Sequence, residues 1–141
     1  MTNSEFRLLH SELIMQVQCI ESDLRIIYAA MKTGDFTENF DDLENANLGR
    51  IIKELKKLDY SDGHPDLSEF DYALIDRIRE IRNYWCHQCY LDFVYIRDDS
   101  KRERRFQEIA DQLVRDERNT LELHEKIERL CYQKLKEYNR I

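Results

Sequence analysis

Residues 4–31 read Ser-Glu-Phe-Arg-Leu-Leu-His-Ser-Glu-Leu-Ile-Met-Gln-Val-Gln-Cys-Ile-Glu-Ser-Asp-Leu-Arg-Ile-Ile-Tyr-Ala-Ala-Met, and this stretch decides the fold class. Its apolar residues recur at alternating steps of three and four, which is the period of an α-helix with one buried face. They are Phe6, Leu9, Leu13, Val17, Ile20, Leu24, Ile27 and Met31. The pattern predicts one continuous helix from about Ser4 to Met31, with Asn3 or Ser4 as its cap and Gly34 near its end.

Two further helices are predicted before residue 100. Residues 35–44 are acidic and contain no basic residue, which is typical of a solvated connector; a docking or autoinhibitory strip is the alternative. A second helix is predicted over 45–58, and the Gly and Pro within 60–66 indicate a loop. The third helix begins near Ser68 and continues to about Asp98.

The C-terminal part of the chain predicts one or two helices. Residues 100–103 read Ser-Lys-Arg-Glu, which matches a capping box at a helix start. The apolar stripe that follows is interrupted by the polar run 115–120 and resumes at Leu123. The interruption leaves open whether this part is one helix or two.

Composition agrees with a folded helical chain. The 141 residues are 42% hydrophobic and 36% charged, a balance found in globular domains. Only three glycines and one proline occur, and none follows Pro65, so half of the chain lacks helix breakers. We therefore expect an all-α fold: a single domain over residues 1–141 that forms an up-and-down bundle of four or five helices.

The charge and the N-terminus limit the possible partners. The net charge is −7, whereas proteins that bind nucleic acid by bulk attraction are usually basic, so any such contact must be local. No run of 18 apolar residues exists, and we expect no membrane span. Residues 1–7 lack the layout of a signal peptide, and the four cysteines follow no disulfide pattern. These features favour a cytoplasmic location.

The third predicted helix has an apolar side and a polar side. At about 100° per residue, its core stripe spans about 60°. That stripe comprises Ile78, Trp85, Cys89 and Ile96. Arg82 lies at the edge of the stripe, and an adjacent arc presents Arg79, Asn83, Cys86, His87 and Tyr90. Arg82 and His87 diverge too far to meet directly on one rigid helix, although both can reach a common phosphate and a two-fold partner helix can complete the arrangement.

Arg82 and His87 are residue types that suit phosphate chemistry. Histidine exchanges a proton near neutral pH, and arginine holds a phosphate and stabilises charge that develops on it. Together they can cleave RNA without a metal, by attack of a ribose 2′-oxygen on the adjacent phosphate. A solvated or hydrogen-bonded pair with no catalytic role is the alternative.

Residues 82–87 read Arg-Asn-Tyr-Trp-Cys-His and resemble the R-x4-6-H signature of HEPN domains, including the polar residue after the Arg. This resemblance implies an all-α bundle of four or five helices whose motif faces a homodimer interface. Many members are metal-independent endoribonucleases that act as toxins or in defence. The resemblance thus implies Arg82 and His87 as catalytic residues, Asn83 as a supporting residue, an RNA substrate, and no metal or other cofactor.

The family also includes other types of protein. Some members have lost catalysis, which gives the alternative of a helical dimer that binds a nucleotide or a partner protein. One toxin branch is paired with a nucleotidyltransferase antitoxin and has a Tyr two residues after the His. Here that position is Cys89, and Tyr90 follows one residue later. Tyr90 is therefore predicted as a supporting residue, and such an antitoxin is a possible partner.

Basic residues near the motif are candidates for contacts with the RNA backbone. The cluster consists of Lys101, Arg102, Arg104 and Arg105, to which Arg79 is added from the third helix. A solvated helix start is the alternative interpretation of the cluster.

Cys86 and Cys89 form a C-x-x-C pair. Zinc usually needs a second pair at similar spacing, which the chain lacks, although His124 and Cys131 share one face of a later helix. Redox pairs prefer a strand-to-helix context. The sequence favours small, apolar, buried or half-buried cysteines over a metal or redox site.

Overall fold

The computed structural model describes all 141 residues and contains five α-helices and no β-strand. These are α1 (Asn3–Met31), α2 (Phe36–Asp42), α3 (Leu48–Tyr60), α4 (Glu69–His87) and α5 (Asp99–Glu137). Helix α1 contacts each of the other four helices and packs most extensively along α5. The expected all-α helical bundle is confirmed.

Helix α1 begins slightly before its predicted start. Its cap is Thr2, not Asn3 or Ser4: the Thr2 side chain accepts a hydrogen bond from the backbone N–H of Glu5, whose carboxylate accepts one from the N–H of Thr2. This reciprocal pair satisfies N–H groups that have no partner inside the helix. The apolar stripe is buried as predicted, except that Leu9 and Met31 are only partly covered.

The predicted acidic connector over residues 35–44 contains the short helix α2. Asp35 caps its start, and the buried amide of Asn39 donates to the carbonyl oxygens of Ala29 and Lys32 at the end of α1. These bonds hold α2 against α1. Moving α2 away would leave the buried amide without a hydrogen-bond partner, which is unfavourable. Arg25 of α1 also stacks on the Phe40 ring, and helical periodicity over so few residues cannot reveal such contacts.

Helix α4 ends at His87, well before the predicted end at Asp98. Residues 88–95 form turns, in which the Asp92 carboxylate accepts hydrogen bonds from Tyr84 and Gln88. Phe93 is buried in the same segment. Because the chain must turn back towards the core to bury Phe93, α4 ends at His87 although no Gly or Pro follows it.

Helix α5 is continuous through the polar run that left its length open. Its cap is Asp98 rather than Ser100, and its 39 residues extend for about 58 Å. Within the polar run, Asp116 and Thr120 are buried against the other helices. Asp116 and Thr120 therefore continue the packed face of one long helix through the polar run.

One cluster of 25 buried apolar residues forms the core of the bundle. Trp85 of α4 is among its fully buried members. None of the five helices combines the length and the apolar character needed to cross a membrane.

Candidate functional site

The last turn of α4 is held by side chains from α1 and α5. The indole Nε1 of Trp85 donates to the buried carboxylate of Asp116 at 2.8 Å. The backbone N–H of Cys89 donates to the carbonyl oxygen of Tyr84, so the Trp85 carbonyl receives no backbone donor. His10 donates to the Trp85 oxygen instead, with 2.6 Å between its Nε2 and that oxygen. Because a carbonyl only accepts, this nitrogen carries the proton.

Arg82 is anchored by an acidic side chain of α1. Its Nη1 lies 2.5 Å from Oε1 of Glu21, and the side chains of Arg82 and Glu21 are 30% and 26% exposed. The guanidinium has five N–H donors, and this bond uses one of them. Arg82 thus lies at the edge of the core, as predicted, with donors still directed towards solvent.

Asn83 and His87 have a different environment from Arg82. Both are exposed and neither makes a side-chain hydrogen bond. His87 is the last residue of α4, while Arg82 turns inward to α1. No hydrogen bond joins Arg82 to His87 within one chain, so the structure does not assemble them into a preformed pair.

Tyr90 packs behind the motif instead of beside it. Its ring is 37% exposed and meets Phe6 edge-on, with ring centroids 5.7 Å apart, and His10 at 5.5 Å. Burial raises the pKa of the Tyr90 hydroxyl, while the nearby charge of Arg7 opposes the rise. Tyr90 therefore belongs to an aromatic cluster shared by α1 and the segment after α4.

Arg79 is separated from the other basic candidates. It is exposed, lies 3.5 Å from Asp76 on its own helix, and extends towards α3. A Cβ atom built on Gly49 of α3 would lie only 2.9 Å from Nη1 of Arg79. Arg79 thus covers the first turn of α3.

Two of the four basic residues at the start of α5 are already paired. Arg102 donates to the Ile96 carbonyl and to Asp99. Arg105 pairs with Glu108 and lies 3.8 Å from the Asp92 carboxylate. By contrast, Lys101 and Arg104 are exposed and form no ion pair. Their charges are the ones most readily available to a phosphate.

The two cysteines of the C-x-x-C pair are not equivalent. Cys89 is buried, and burial raises its pKa to about 11. Cys86 is exposed, contrary to the expectation of a buried or half-buried thiol. His124 pairs with Gln16 across the helices, and no group of three or more His, Cys, Asp or Glu side chains is placed to hold a metal ion.

Several residues that shape the site did not stand out in the sequence. Glu21 lies between core positions of α1, and Asp116 lies within the polar run of α5. A charged residue beside a core stripe indicates that it has a partner in the fold, but its position in the sequence does not identify that partner. Only the packing of α1, α4 and α5 pairs Glu21 with Arg82 and Asp116 with Trp85.

Comparisons with protein-family models, with curated proteins and with solved structures give no match. The function must therefore be argued from the residues of the site and from the resemblance of residues 82–87.

Proposed function

We propose that this chain is a metal-independent endoribonuclease of the HEPN type that acts as a homodimer. The main supporting observation concerns the end of one helix. Arg82 is oriented there by Glu21 and still presents donors to solvent, while His87 and Asn83 are exposed and have no internal partner. An oriented cation and an unpaired imidazole, one from each of two copies of the chain, are suited to a phosphodiester.

The proposed reaction uses the Arg82 guanidinium, the His87 imidazole and a second histidine. One imidazole takes the proton of a ribose 2′-hydroxyl, and the 2′-oxygen forms a bond to the adjacent phosphorus. The bond from phosphorus to the 5′-oxygen breaks, and the other imidazole, in its protonated form, donates a proton to that oxygen. The Arg82 guanidinium stabilises the negative charge on the crowded phosphate. The products are a 2′,3′-cyclic phosphate and a free 5′-hydroxyl.

A second copy of the chain supplies the second histidine in this proposal. Arg82 and His87 diverge on α4, so one copy offers one imidazole and one guanidinium to a given phosphate. Leu91 and Tyr95, which follow the motif, are 53% and 77% exposed. Their apolar surface is available for contact with a second copy.

A non-catalytic role is the second candidate. In it, the chain is a helical dimer that binds a nucleotide or a partner protein. The observation in its favour is the close pairing of Glu21 with Arg82, which neutralises the guanidinium and reduces its attraction for a phosphate.

Cleavage of single-stranded RNA in EDTA distinguishes the two candidates. We expect the wild-type protein to cut the RNA and to leave 2′,3′-cyclic phosphate ends. His87→Ala and Arg82→Ala should each lower the rate by about a hundredfold or more, since each removes one catalytic group. His64→Ala is the matched control, because His64 is an exposed histidine of the α3–α4 loop.

The outcomes separate clearly. No cleavage by the wild type, or equal cleavage by His87→Ala, would reject the nuclease and favour the binding module. Light scattering should show a dimer, and a monomer would contradict the shared site.

For a toxin or defence effector, expression should arrest growth with the wild type but not with His87→Ala. A nucleotidyltransferase-type antitoxin, if one is paired with this chain, should relieve the arrest when expressed with it.

A further inference from the structure

A second candidate site lies at one end of the bundle, behind the motif. A pocket of about 380 Å³ opens between the first turns of α1, the first turns of α5 and the segment after α4. We call it the N-terminal pocket, and its main lining residues are Phe6, Arg7, Tyr90, Val94, Arg102 and Phe106. Its volume falls within the range of about 300–1,000 Å³ that is usual for small-molecule sites.

The inner wall of the pocket is aromatic. Phe6 and Phe106 are buried with ring centroids 5.3 Å apart, and Phe93 lies 5.3 Å from Phe106. Tyr90 and Val94 are 37% and 50% exposed, so they present the accessible apolar surface. A flat aromatic ligand can therefore stack on the exposed part of the Tyr90 ring, with the buried phenyl rings behind it.

The rim of the pocket carries two arginines, of which one is unpaired. Arg7 is exposed and forms no ion pair. Arg102 is held by Asp99 and by the Ile96 carbonyl, which orients its guanidinium. Glu103 is the one acidic residue in the lining. Because Asp99 and Glu103 offset the two arginines, the charge available to a ligand at the rim is that of the unpaired Arg7 guanidinium.

We propose that the N-terminal pocket binds an unpaired nucleobase together with its phosphate. An exposed tyrosine and an unpaired arginine on the same pocket combine base stacking with phosphate attraction, as single-strand binding sites do. The identification of the ligand as part of an RNA substrate rests on the proposed nuclease function. Tyr90 follows His87 by three residues, a span of at most about 11 Å, so the pocket would hold a nucleotide close to the cleaved bond.

Binding to an uncleavable strand tests the pocket separately from catalysis. The probe is a short fluorescent oligoadenylate with 2′-O-methyl groups, which removes the attacking hydroxyl. Tyr90→Ala should weaken its binding about tenfold through lost stacking, while Tyr90→Phe should bind like the wild type. Arg7→Gln should weaken binding and lower the slope of log affinity against log salt by about 0.7. Arg118→Gln, an exposed arginine elsewhere on α5, is the matched control.

Mononucleotides separate a base site from a phosphate site. In NMR titrations, adenosine monophosphate should bind more tightly than ribose 5-phosphate and should shift the signals of Tyr90 and Val94. Comparison of the mononucleotide with the oligonucleotide shows whether the pocket serves a free nucleotide or a strand. Equal affinity for adenosine monophosphate and ribose 5-phosphate would overturn the proposal. So would equal affinity of Tyr90→Ala, Arg7→Gln and the wild type for the oligonucleotide.

The two proposals can fail independently. Cleavage that is unaffected by Tyr90→Ala and Arg7→Gln would retain the nuclease and reject the pocket. Nucleotide binding that depends on Tyr90 and Arg7, in a protein that cuts no RNA, would retain the pocket and reject the nuclease. Circular dichroism of each variant shows whether it is folded. Because Arg7 is exposed, Arg7→Gln tests the pocket even if Tyr90→Ala destabilises the protein.

Discussion

The guanidinium of Arg82 on α4 is bonded to the carboxylate of Glu21 on α1, and the pair joins two helices at the candidate site. Both side chains are partly exposed, so solvent screens the attraction and limits its contribution to stability. Its larger effect is on geometry, because a long arginine side chain would otherwise sample several rotamers. Glu21 is therefore a positioning residue for Arg82.

Glu21→Gln separates the two effects of this pair. We expect the free energy of unfolding to fall by about 1 kcal/mol or less, as is usual for exposed ion pairs. In the proposed nuclease, kcat should fall up to about tenfold, because the uncharged amide of Gln holds Arg82 less firmly than the carboxylate does, while KM should not rise, because a negative charge near the phosphate has been removed. Urea unfolding and steady-state RNA cleavage measure the two changes.

The matched control for this prediction is Glu12→Gln, which changes an exposed, unpaired glutamate of the same helix. A positioning role requires kcat to change in Glu21→Gln alone. Equal kcat values for both variants would show that the ion pair only joins the helices.

The bond between Trp85 and Asp116 should contribute strongly to stability. Trp85→Phe removes the donor from a buried carboxylate, which then keeps only the bond from Gln112, and leaves a cavity in the core. We expect a loss of about 2–4 kcal/mol in the free energy of unfolding. Asp116→Asn keeps an acceptor for the indole and should cost less. Urea titrations followed by circular dichroism compare the two, and a smaller loss for Trp85→Phe than for Asp116→Asn would contradict this account.

The helical class and the core of the bundle were predictable because they depend on periodicity. The stripe of α1 and the burial of Ile78 and Trp85 follow from spacing alone. The early end of α4 was not predictable, since it depends on the bonds of Asp92 and the burial of Phe93. The Asp92 bonds join neighbouring turns, whereas Phe93 packs on Phe6 and Phe106 of other helices, and neither contact leaves a periodic signal.

The exposure of the candidate residues on α4 was predictable from helix geometry, but their partners were not. Arg82 at the core edge and exposed His87 agree with the angles expected on a helix. The pairing with Glu21 and the separation of Arg79 from the α5 cluster depend on how α1, α3 and α4 pack. One residue pattern is compatible with several such packings, so only the structure distinguishes paired from free charges.

Acid should weaken the link between α4 and α5. Burial would raise the pKa of Asp71, but the bonds from Lys126 and Ser68 outweigh it, so the pKa lies below its usual value. The ionised carboxylate therefore stabilises the fold above the unfolded pKa of about 3.9, and this contribution is lost as the pH falls through the folded pKa. Thermal unfolding midpoints should decrease below about pH 4.

Asp71→Asn should show a weaker acid dependence than the wild type in the same measurement. Some dependence should remain, because the Tyr60 hydroxyl lowers the pKa of Glu69 and the Gln88 amide lowers that of Asp92. Asp111→Asn, at an exposed and unpaired aspartate of α5, should follow the wild type. Identical acid curves for Asp71→Asn and the wild type would show that the link to Lys126 is not formed in solution.

The cysteines should differ widely in their rates of alkylation. Cys86 is exposed at the end of α4 and should react with iodoacetamide rapidly at neutral pH, whereas half-buried Cys19 should react more slowly. Burial raises the pKa of Cys89 to about 11 and that of Cys131 to about 12, so the reactive thiolate forms of both are scarce and covered. Both should react only after unfolding, as mass spectrometry of tryptic peptides can show. Cys86→Ser should remove the fast phase, and a Cys89 that reacts as fast as Cys86 would mean that the turns over residues 88–95 open in the native protein.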